Sequence, residues 1–242
     1  MRDQIKIMDI PIDKVNIEEA LDRVKGFLIE DTLHVIYTPN PEIVMAAQGD
    51  SVLKEAIEGA DLVIPDGIGL IYASKIMKTG LTQRVSGIDL MGEMLNLCNR
   101  EKKSIYLLGG KPGVAQLACE NILKKFPSIQ VAGKQDGYFK EGELPRIIQE
   151  INDSKADILF VALGAPKQEK WIYSNYDKLK VKIAMGVGGC VDIWAGTAKR
   201  APFIYQKLGM EWFYRLLKEP WRYRRMMVLP KFMLKILLDK SH

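Results

Sequence analysis

Five short apolar runs, each ending in a polar or glycine-rich loop, constrain this chain of 242 residues more than any other feature. The runs cover residues 35–37, 62–64, 105–108, 158–162 and 183–185. Helical patterns follow every loop except the last, and strands that alternate with helices predict a parallel sheet covered by helices. Open parallel sheets bind ligands outside the carboxyl ends of their strands. We therefore expect the five loops to meet in one crevice.

The chain is predicted to be an α/β protein. We expect a Rossmann-like, mostly parallel sheet flanked by helices, followed by a helical and basic C-terminal appendage. Strand patterns stop near Lys199, so residues 1–200 would form the body and residues 201–242 the appendage. The net charge of +5 is uneven, because nine Lys and Arg stand against three acidic residues in the appendage. A uniformly basic nucleic-acid-binding protein would not show this division, so no nucleic-acid partner is expected.

The appendage combines apolar stripes at helical spacing with Trp, Tyr and Arg. In its first helical stretch, Glu211, Arg215 and Lys218 are expected to turn away from the apolar stripe. This composition is typical of a segment that lies on an anionic membrane surface. The alternatives are a helical element packed on the body and a homo-oligomer interface. Contacts to the membrane or to a diphosphate are predicted for Arg215, Arg222, Arg224 and Arg225.

Cysteine usage and hydropathy indicate the compartment. The three cysteines are scattered and form no CxxC pair, which fits reduced thiols in the cytoplasm. No signal-peptide pattern is present, and no run approaches the ~18–20 apolar residues of a membrane span. We expect a cytoplasmic protein bound peripherally to the inner face of the cell membrane.

The sequence offers little for metal or histidine chemistry. His34 and His242 are its only histidines, which argues against a His-based zinc site or a Ser-His-Asp triad. No Asp-x-Asp pair occurs, although many nucleotide-sugar enzymes hold Mg²⁺ or Mn²⁺ through such a pair. We therefore expect metal-independent chemistry without a cofactor, in which cations and helix N-termini neutralise a leaving group.

Asp66 is the candidate catalytic residue. It stands between Pro65 and Gly67 at a predicted strand end, and Gly67 permits a tight turn that projects the carboxylate into the crevice. A positioned carboxylate in a partly dry site can act as general base towards a sugar hydroxyl. The alternative is that Asp66 caps the helix that follows it.

The other loops suggest a phosphorylated, sugar-like ligand. Asn40, in the turn that begins with Thr38, offers donors and acceptors for a sugar or a uracil edge, although Asn before Pro is also common in turns. Glycines before helix N-termini favour anions, but they also serve as plain connections. Arg84 and Lys167 are candidate cations. The predicted substrate-binding residues are Thr38, Asn40, Arg84, Gly109, Gly110, Asp136, Tyr138, Lys167, Gln168, Gly188, Gly189 and Asp192.

These motifs, in this order, resemble the WecG/TagA/CpsF family of glycosyltransferases. The resemblance rests on Thr38-Pro39-Asn40, Pro65-Asp66-Gly67, Arg84 with Gly87, Leu108-Gly109-Gly110, Asp136-Gly137-Tyr138, Gly164-x-Pro166-Lys167-Gln168-Glu169 and Gly188-Gly189-x-x-Asp192. It implies an inverting transfer of N-acetylmannosamine from its UDP donor. The implied acceptor is the 4-hydroxyl of N-acetylglucosamine-diphospho-undecaprenol, in the synthesis of the wall teichoic acid linkage unit.

The resemblance also implies residue roles. Asp66 would be the base, while Thr38, Asn40 and Gln168 would line the sugar and acceptor region. Partners would be a UDP-sugar, a polyprenyl-diphosphate-linked acceptor and an anionic membrane surface. Three alternatives remain at this point: a related transferase with another UDP-sugar donor, a nucleotide-dependent oxidoreductase, and a non-catalytic lipid- or protein-binding module. The missing GxGxxG fingerprint weighs against the oxidoreductase.

Overall fold

The computed structural model describes residues 2–238, apart from the side chains of Arg222 and Arg224. These two predicted tail contacts therefore lie outside the described residues. The strands are β1 (Gln4–Ile7), β2 (Ile10–Asp13), β3 (His34–Tyr37), β4 (Leu62–Val63), β5 (Ser104–Gly109), β6 (Gln130–Gln135), β7 (Ile158–Ala162) and β8 (Ile183–Gly186).

The helices flank these strands and continue beyond the last one. Those of the body are α1 (Ile17–Phe27), α2 (Pro41–Ala47), α3 (Ser51–Glu58), α4 (Ile68–Met77), α5 (Gly87–Glu101), α6 (Val114–Lys125), α7 (Leu144–Asp153), α8 (Lys167–Ser174) and α9 (Cys190–Trp194). Those of the tail, here residues 201–238, are α10 (Phe203–Lys207), α11 (Glu211–Lys218), α12 (Tyr223–Met226) and α13 (Val228–Leu238).

Six strands form one parallel sheet in the order β4-β3-β8-β7-β5-β6. This confirms the predicted α/β class. The first two strands form a separate antiparallel hairpin. The last strand, β8, lies in the middle of the sheet between β3 and β7, so the carboxyl ends of early and late strands meet at one edge.

Both faces of the sheet are covered, which explains the apolar runs in its inner strands β3, β5, β7 and β8. Alternate residues of each strand belong to opposite core clusters; on β7, for example, Leu159 faces one and Phe160 the other. The first cluster packs against α2, α3, α4, α7, α8, α13 and the β1–β2 hairpin. The second packs against α1, α5, α6 and α9. The body is therefore a three-layer arrangement.

Local sequence signals explain several helix starts. Asn16 and Glu19 form the capping box expected for α1, with both reciprocal hydrogen bonds at 2.9 Å. The Asn40 side chain accepts a hydrogen bond from the N–H of Ile43, and Pro41 follows at the first helical position of α2. Two helices of the body lay outside the sequence prediction, namely α3 and the five-residue α9 that follows the last glycine loop.

The tail docks on the body through α13, which packs against α2 and α4. Phe232 and Ile236 are fully buried there and belong to the first core cluster. In contrast, α10 and α11 bury none of their residues. Within the described residues, no helix combines the length and hydropathy needed to cross a membrane. The boundary near residue 200 stays a prediction, but the tail is packed onto the body beyond it.

Candidate active site

A cavity of about 760 Å³ opens at the carboxyl edge of the sheet. Residues from all five predicted loops line it, after β3, β4, β5, β7 and β8. The structure thus brings together nine of the twelve predicted substrate-binding residues around Asp66: Thr38, Asn40, Arg84, Gly110, Tyr138, Gln168, Gly188, Gly189 and Asp192. Arg215 and Arg225 of the tail line the same cavity.

Asp66 lies in the tight turn after β4. Gly67 adopts a φ of +96°, which a residue with a side chain rarely adopts, and this turn directs the chain into α4. The N–H of Asp66 donates to the carbonyl of Pro39 at 3.1 Å, so the turns after β3 and β4 are held together. Asp66 does not cap α4, because no side chain caps that helix. Its carboxylate instead accepts from the N–H of Gly87, the first residue of α5.

The surroundings of Asp66 tune its acidity. Burial raises the pKa of its carboxyl to about 6, and the charge of Glu211 acts in the same direction. The positive charges of Arg84 and Arg215, and the N–H of Gly87, oppose that rise. A carboxyl with this pKa is ionised at neutral pH yet is a stronger base than an exposed aspartate. It therefore has the properties of a general base.

Arg84 is less free than its sequence context indicates. Its guanidinium pairs with Glu211 of α11 at 2.6 Å, and Glu211 also lies 3.4 Å from Arg200. Arg200 in turn makes a bidentate contact with Asp89 in the first turn of α5. Glu211 of the tail thus pairs with Arg84, one of the predicted cations. Through Arg200 it is also connected to α5, the helix that begins beside Asp66.

Arg215 faces the cavity without such a partner, and Lys111 also lines it. Among the described residues, the Arg215 side chain makes no ion pair or hydrogen bond, while it lies beside Gly189 and lowers the pKa of Asp66. Glu211 and Arg215 were expected to turn away from the apolar stripe of α11, and the structure adds what their side of the helix meets. Both face the body, because the surface that α11 meets is itself charged. Arg225 also turns inward, to Glu42, with contacts of 2.7 and 3.0 Å.

Gln168 is a buried amide that orders the central loop. Its Nε2 donates to Glu169 Oε1 at 2.9 Å, and its Oε1 accepts from the N–H of Gly188 at 2.9 Å. Glu169 is 1% exposed, and burial raises the pKa of its carboxyl. The carboxyl of Glu169 therefore fixes which way the Gln168 amide points, and Gln168 fixes the loop after β8.

Two of the glycine-loop donors expected to hold an anion are already used within the protein. The N–H of Gly110 donates to the carbonyl of Ala162, and that of Gly188 donates to Gln168. Side-chain cations therefore carry more of any diphosphate interaction than the sequence indicated. Cys190 also lines the cavity, but burial raises the pKa of its thiol to about 12, so it is protonated at neutral pH.

Three predicted residues do not line the cavity. Gly109 lies so close to the backbone of Ala162 that a Cβ would come within 2.3 Å of its carbonyl oxygen, so it serves strand packing. Asp136 accepts from the N–H of Tyr138 and shapes a turn. Lys167 is exposed, with its ammonium 5.7 Å from the centre of the Phe139 ring.

Sequence reasoning missed Glu169, Arg200 and Glu211. Glu169 follows Gln168 in one motif, but nothing local indicates that it is buried. Arg200 lies at the expected boundary, and Glu211 was expected only to turn away from the apolar stripe of its helix. The partners of Arg200 and Glu211 are more than ten residues away in the sequence. The contact of Glu169 with Gln168 depends on which face of α8 is buried.

The cleft lies at the carboxyl edge of a parallel sheet. It contains a carboxyl group with a raised pKa and a guanidinium from the tail. These features are typical of an α/β enzyme that uses acid–base chemistry. Comparison of the sequence with protein families identifies the class of enzyme. The chain belongs to the Glycosyl transferase WecG/TagA/CpsF family, whose sequence profile matches residues 5–242. The resemblance predicted from the motifs is confirmed, and the protein is a glycosyltransferase.

Curated relatives cover nearly the whole chain. A protein of Bacillus subtilis (strain 168) is 36% identical over 238 residues, which span 98% of this chain and 92% of the relative. A protein of Staphylococcus aureus (strain MRSA252) is 33% identical over 235 residues, with coverage of 96% and 92%. Both relatives are named N-acetylglucosaminyldiphosphoundecaprenol N-acetyl-beta-D-mannosaminyltransferase.

Proposed function

We propose that this protein transfers N-acetylmannosamine from UDP-N-acetylmannosamine to the 4-hydroxyl of N-acetylglucosamine-diphospho-undecaprenol, in teichoic acid linkage-unit synthesis. The names of the relatives, which match over more than 90% of this chain, support the donor sugar and the acceptor. The observation that carries the chemistry is Asp66, whose carboxyl has a pKa of about 6 inside the cleft. Membership of a glycosyltransferase family removes the oxidoreductase and the non-catalytic module as alternatives.

The reaction is a single displacement with inversion at the anomeric carbon. Asp66 accepts the proton of the acceptor hydroxyl while the hydroxyl oxygen forms a bond to that carbon. The bond from the carbon to the diphosphate oxygen breaks, and UDP leaves with the bonding electrons. The proton on Asp66 then passes to solvent. A base of this kind contributes typically 10²–10⁴ in rate.

Positive charge must offset the charge that develops on the departing UDP. Arg215 is the side chain best placed for this, since it lies beside Gly189 in the cavity. Arg84 contributes less while Glu211 neutralises it. We propose that these cations take the place of a divalent metal, and that the enzyme needs no cofactor.

The proposed membrane contact uses the outer surface of the tail. Phe203, Ile204 and Leu208 are 74%, 68% and 59% exposed, and Lys207 lies between them. Exposed apolar side chains next to basic residues favour an anionic lipid surface, with roughly 1 kcal/mol per basic residue near it. A protein bound to the inner face of the cell membrane would reach a lipid-linked acceptor directly.

The decisive test of the transfer is a donor panel. The enzyme is incubated with several UDP-N-acetylhexosamines and a soluble alkyl-diphosphate-N-acetylglucosamine, and the product is identified by mass and linkage. The expected product carries N-acetylmannosamine in a β1,4 linkage. Preference for another donor would replace the proposed sugar while keeping the reaction class.

The membrane contact is tested on vesicles. Protein lacking residues 200–242 is compared with the full chain for co-sedimentation with anionic vesicles and for turnover of the soluble acceptor. Loss of vesicle binding is expected, and salt should weaken binding of the full chain without abolishing it. If the truncated protein still sediments with the vesicles, the tail is not the membrane contact and an oligomer interface becomes the better explanation.

A further inference from the structure

The cavity that holds Asp66 has two chemically different parts. Its floor at the sheet edge is polar and includes Asp66, Gln168 and Asp192. Its outer part is apolar, and the walls come from α4 of the body and from the tail. We call this outer part the apolar wall, which consists of Ile68, Tyr72, Trp212, Met226, Leu229 and Met233.

The apolar wall stays accessible although core side chains lie next to it. Tyr72 is 47% exposed and Trp212 is 37% exposed. Phe232, the chain neighbour of Met233, is fully buried on α2 and α4. α13 thus uses one face to dock and presents an adjacent face to the cavity. Burial of apolar surface stabilises a protein or a complex by about 25 cal/mol per Å². Contiguous apolar patches that stay exposed therefore mark interaction sites.

The apolar wall begins directly beside the charged groups of the floor. Ile68 follows Asp66 by two residues, and Tyr72 lies one helical turn further along the same face of α4. Trp212 and Arg215 are three residues apart on α11, which places them on one helix face. Met226 follows Arg225, whose guanidinium is held by Glu42. A ligand that fills this cavity therefore contacts a carboxylate, cations and apolar side chains.

We infer that the apolar wall binds the first isoprenoid units of a polyprenyl-diphosphate acceptor. The inference rests on the proposed function. The acceptor combines the same kinds of parts as the cavity, with a sugar hydroxyl for Asp66, a diphosphate for Arg225, and a branched apolar chain for the apolar wall. The turn at Gly209, which packs on Ile68, connects the apolar wall to the exposed apolar side chains of α10. The chain would leave the cavity there and continue into the membrane.

Binding is tested without turnover, using farnesyl diphosphate as the probe and inorganic diphosphate as its control. Trp212 lines the apolar wall, so its fluorescence should change with farnesyl diphosphate and remain unchanged with diphosphate. The change should disappear in Trp212→Phe, which keeps the other three tryptophans. An equal response to both compounds, or a response that persists in Trp212→Phe, would overturn the inference.

Kinetics test the same site during transfer. Acceptors with one head group but zero, one, two or three isoprenoid units are compared at fixed donor. In the wild type the KM for acceptor should fall by at least about tenfold over the first units and then level off. In Leu229→Asp this dependence on chain length should largely vanish. The matched control is Leu234→Asp on the same helix, because Leu234 is 57% exposed and does not line the cavity.

The outcomes separate the two proposals. If no acceptor of any length is turned over, the proposed function fails. If all acceptors react with equal KM, or Leu229→Asp keeps the wild-type dependence, the transferase stands and the apolar wall does not bind the chain. A change in oligomeric state of Leu229→Asp with an unchanged dependence would assign the apolar wall to a contact between copies instead.

Discussion

The body and the tail are held in different ways, although both contribute to one cleft. Each long helix of the body buries several apolar side chains in a core that covers both sheet faces. Among the described helices of the tail, α13 buries Phe232 and Ile236, while α11 is fixed through Glu211, which binds Arg84 and Arg200. The body is therefore the rigid part of the cleft. Arg215, which we propose offsets the charge of the leaving group, lies on a helix that buries no residue of its own.

The largest effect is expected in the body, at Asp66. Asp66→Asn should lower kcat by roughly 10²–10⁴ while UDP affinity stays within a few-fold. In the wild type, kcat/KM should fall as pH falls through about 6, because only the ionised carboxylate accepts a proton. Steady-state rates between pH 5 and 9 on a soluble acceptor measure both. Near-normal turnover by a folded Asp66→Asn protein would remove Asp66 from the mechanism.

The same variant should be more stable than the wild type at pH 8. The folded protein holds the Asp66 proton more tightly than the unfolded chain, so ionisation above pH 6 destabilises the fold. Asn removes this free-energy cost. A difference of about two units between the folded and unfolded pKa corresponds to a cost of up to roughly 3 kcal/mol. The difference should disappear below about pH 4. Urea unfolding at both pH values measures it, and equal stabilities at pH 8 would contradict the raised pKa.

The next effect tests whether the tail takes part in chemistry. Arg215→Gln should lower kcat on a short soluble acceptor by roughly 10²–10³, the loss typical for removal of one group that stabilises developing charge. Lys218→Gln is the matched control on the same helix, since Lys218 is exposed and its ammonium lies over the Tyr214 ring. Equal rates for the two variants would reduce the tail to an anchor.

A third change separates docking of the tail from folding of the body. Phe232→Ala should weaken the docking of α13 by about 3–5 kcal/mol, the usual cost of a buried Phe→Ala change. Because α13 lies outside the sheet, the global melting temperature should move less than protease resistance near residue 200. Leu237→Ala, at a position 64% exposed, is the control. A cooperative loss of the whole fold would show that the two regions are one unit.

A smaller effect is expected where the body positions its own loop. Glu169→Met removes the acceptor for the Gln168 amide and should lower kcat by about tenfold, with little change in melting temperature. Glu169→Gln keeps an oxygen acceptor and should retain most of the activity. Equal losses in both variants would contradict a positioning role for Glu169.

No effect is expected from chelation. The chemistry proposed here needs no divalent metal, so activity in EDTA should equal activity without it. Loss of activity that Mg²⁺ or Mn²⁺ restores would show a metal site and would also weaken the role given to Arg215.

The sequence predicted the fold class and the edge of the sheet that carries the site, because both depend on local apolar patterns. It did not predict that β8 lies at the centre of the sheet, since strand order depends on pairing between distant residues. It placed Asp66 correctly within the cleft but could not distinguish Lys167 from Gln168. These neighbours on α8 face in different directions, one to Phe139 and solvent and the other to Gly188.

The tail was the hardest part to predict, for a physical reason. Amphipathic patterns assign charged residues to the side that faces water. Glu211 and Arg215 instead meet Arg84, Arg200 and the cleft, where charges are the appropriate partners. A sequence pattern identifies which residues share a helix face, but not what that face meets.

The sparse burial of the tail has a consequence for how the enzyme loses activity on heating. Segments with few buried contacts open at lower cost than the core, and the tail, whose helices α10 and α11 bury none of their residues, carries Arg215 and Arg225 of the cleft. Thermal inactivation should therefore precede thermal unfolding. A sample held between the temperature of inactivation and that of unfolding would keep its sheet but lack activity. It would regain full activity on cooling, when the tail docks on the body again.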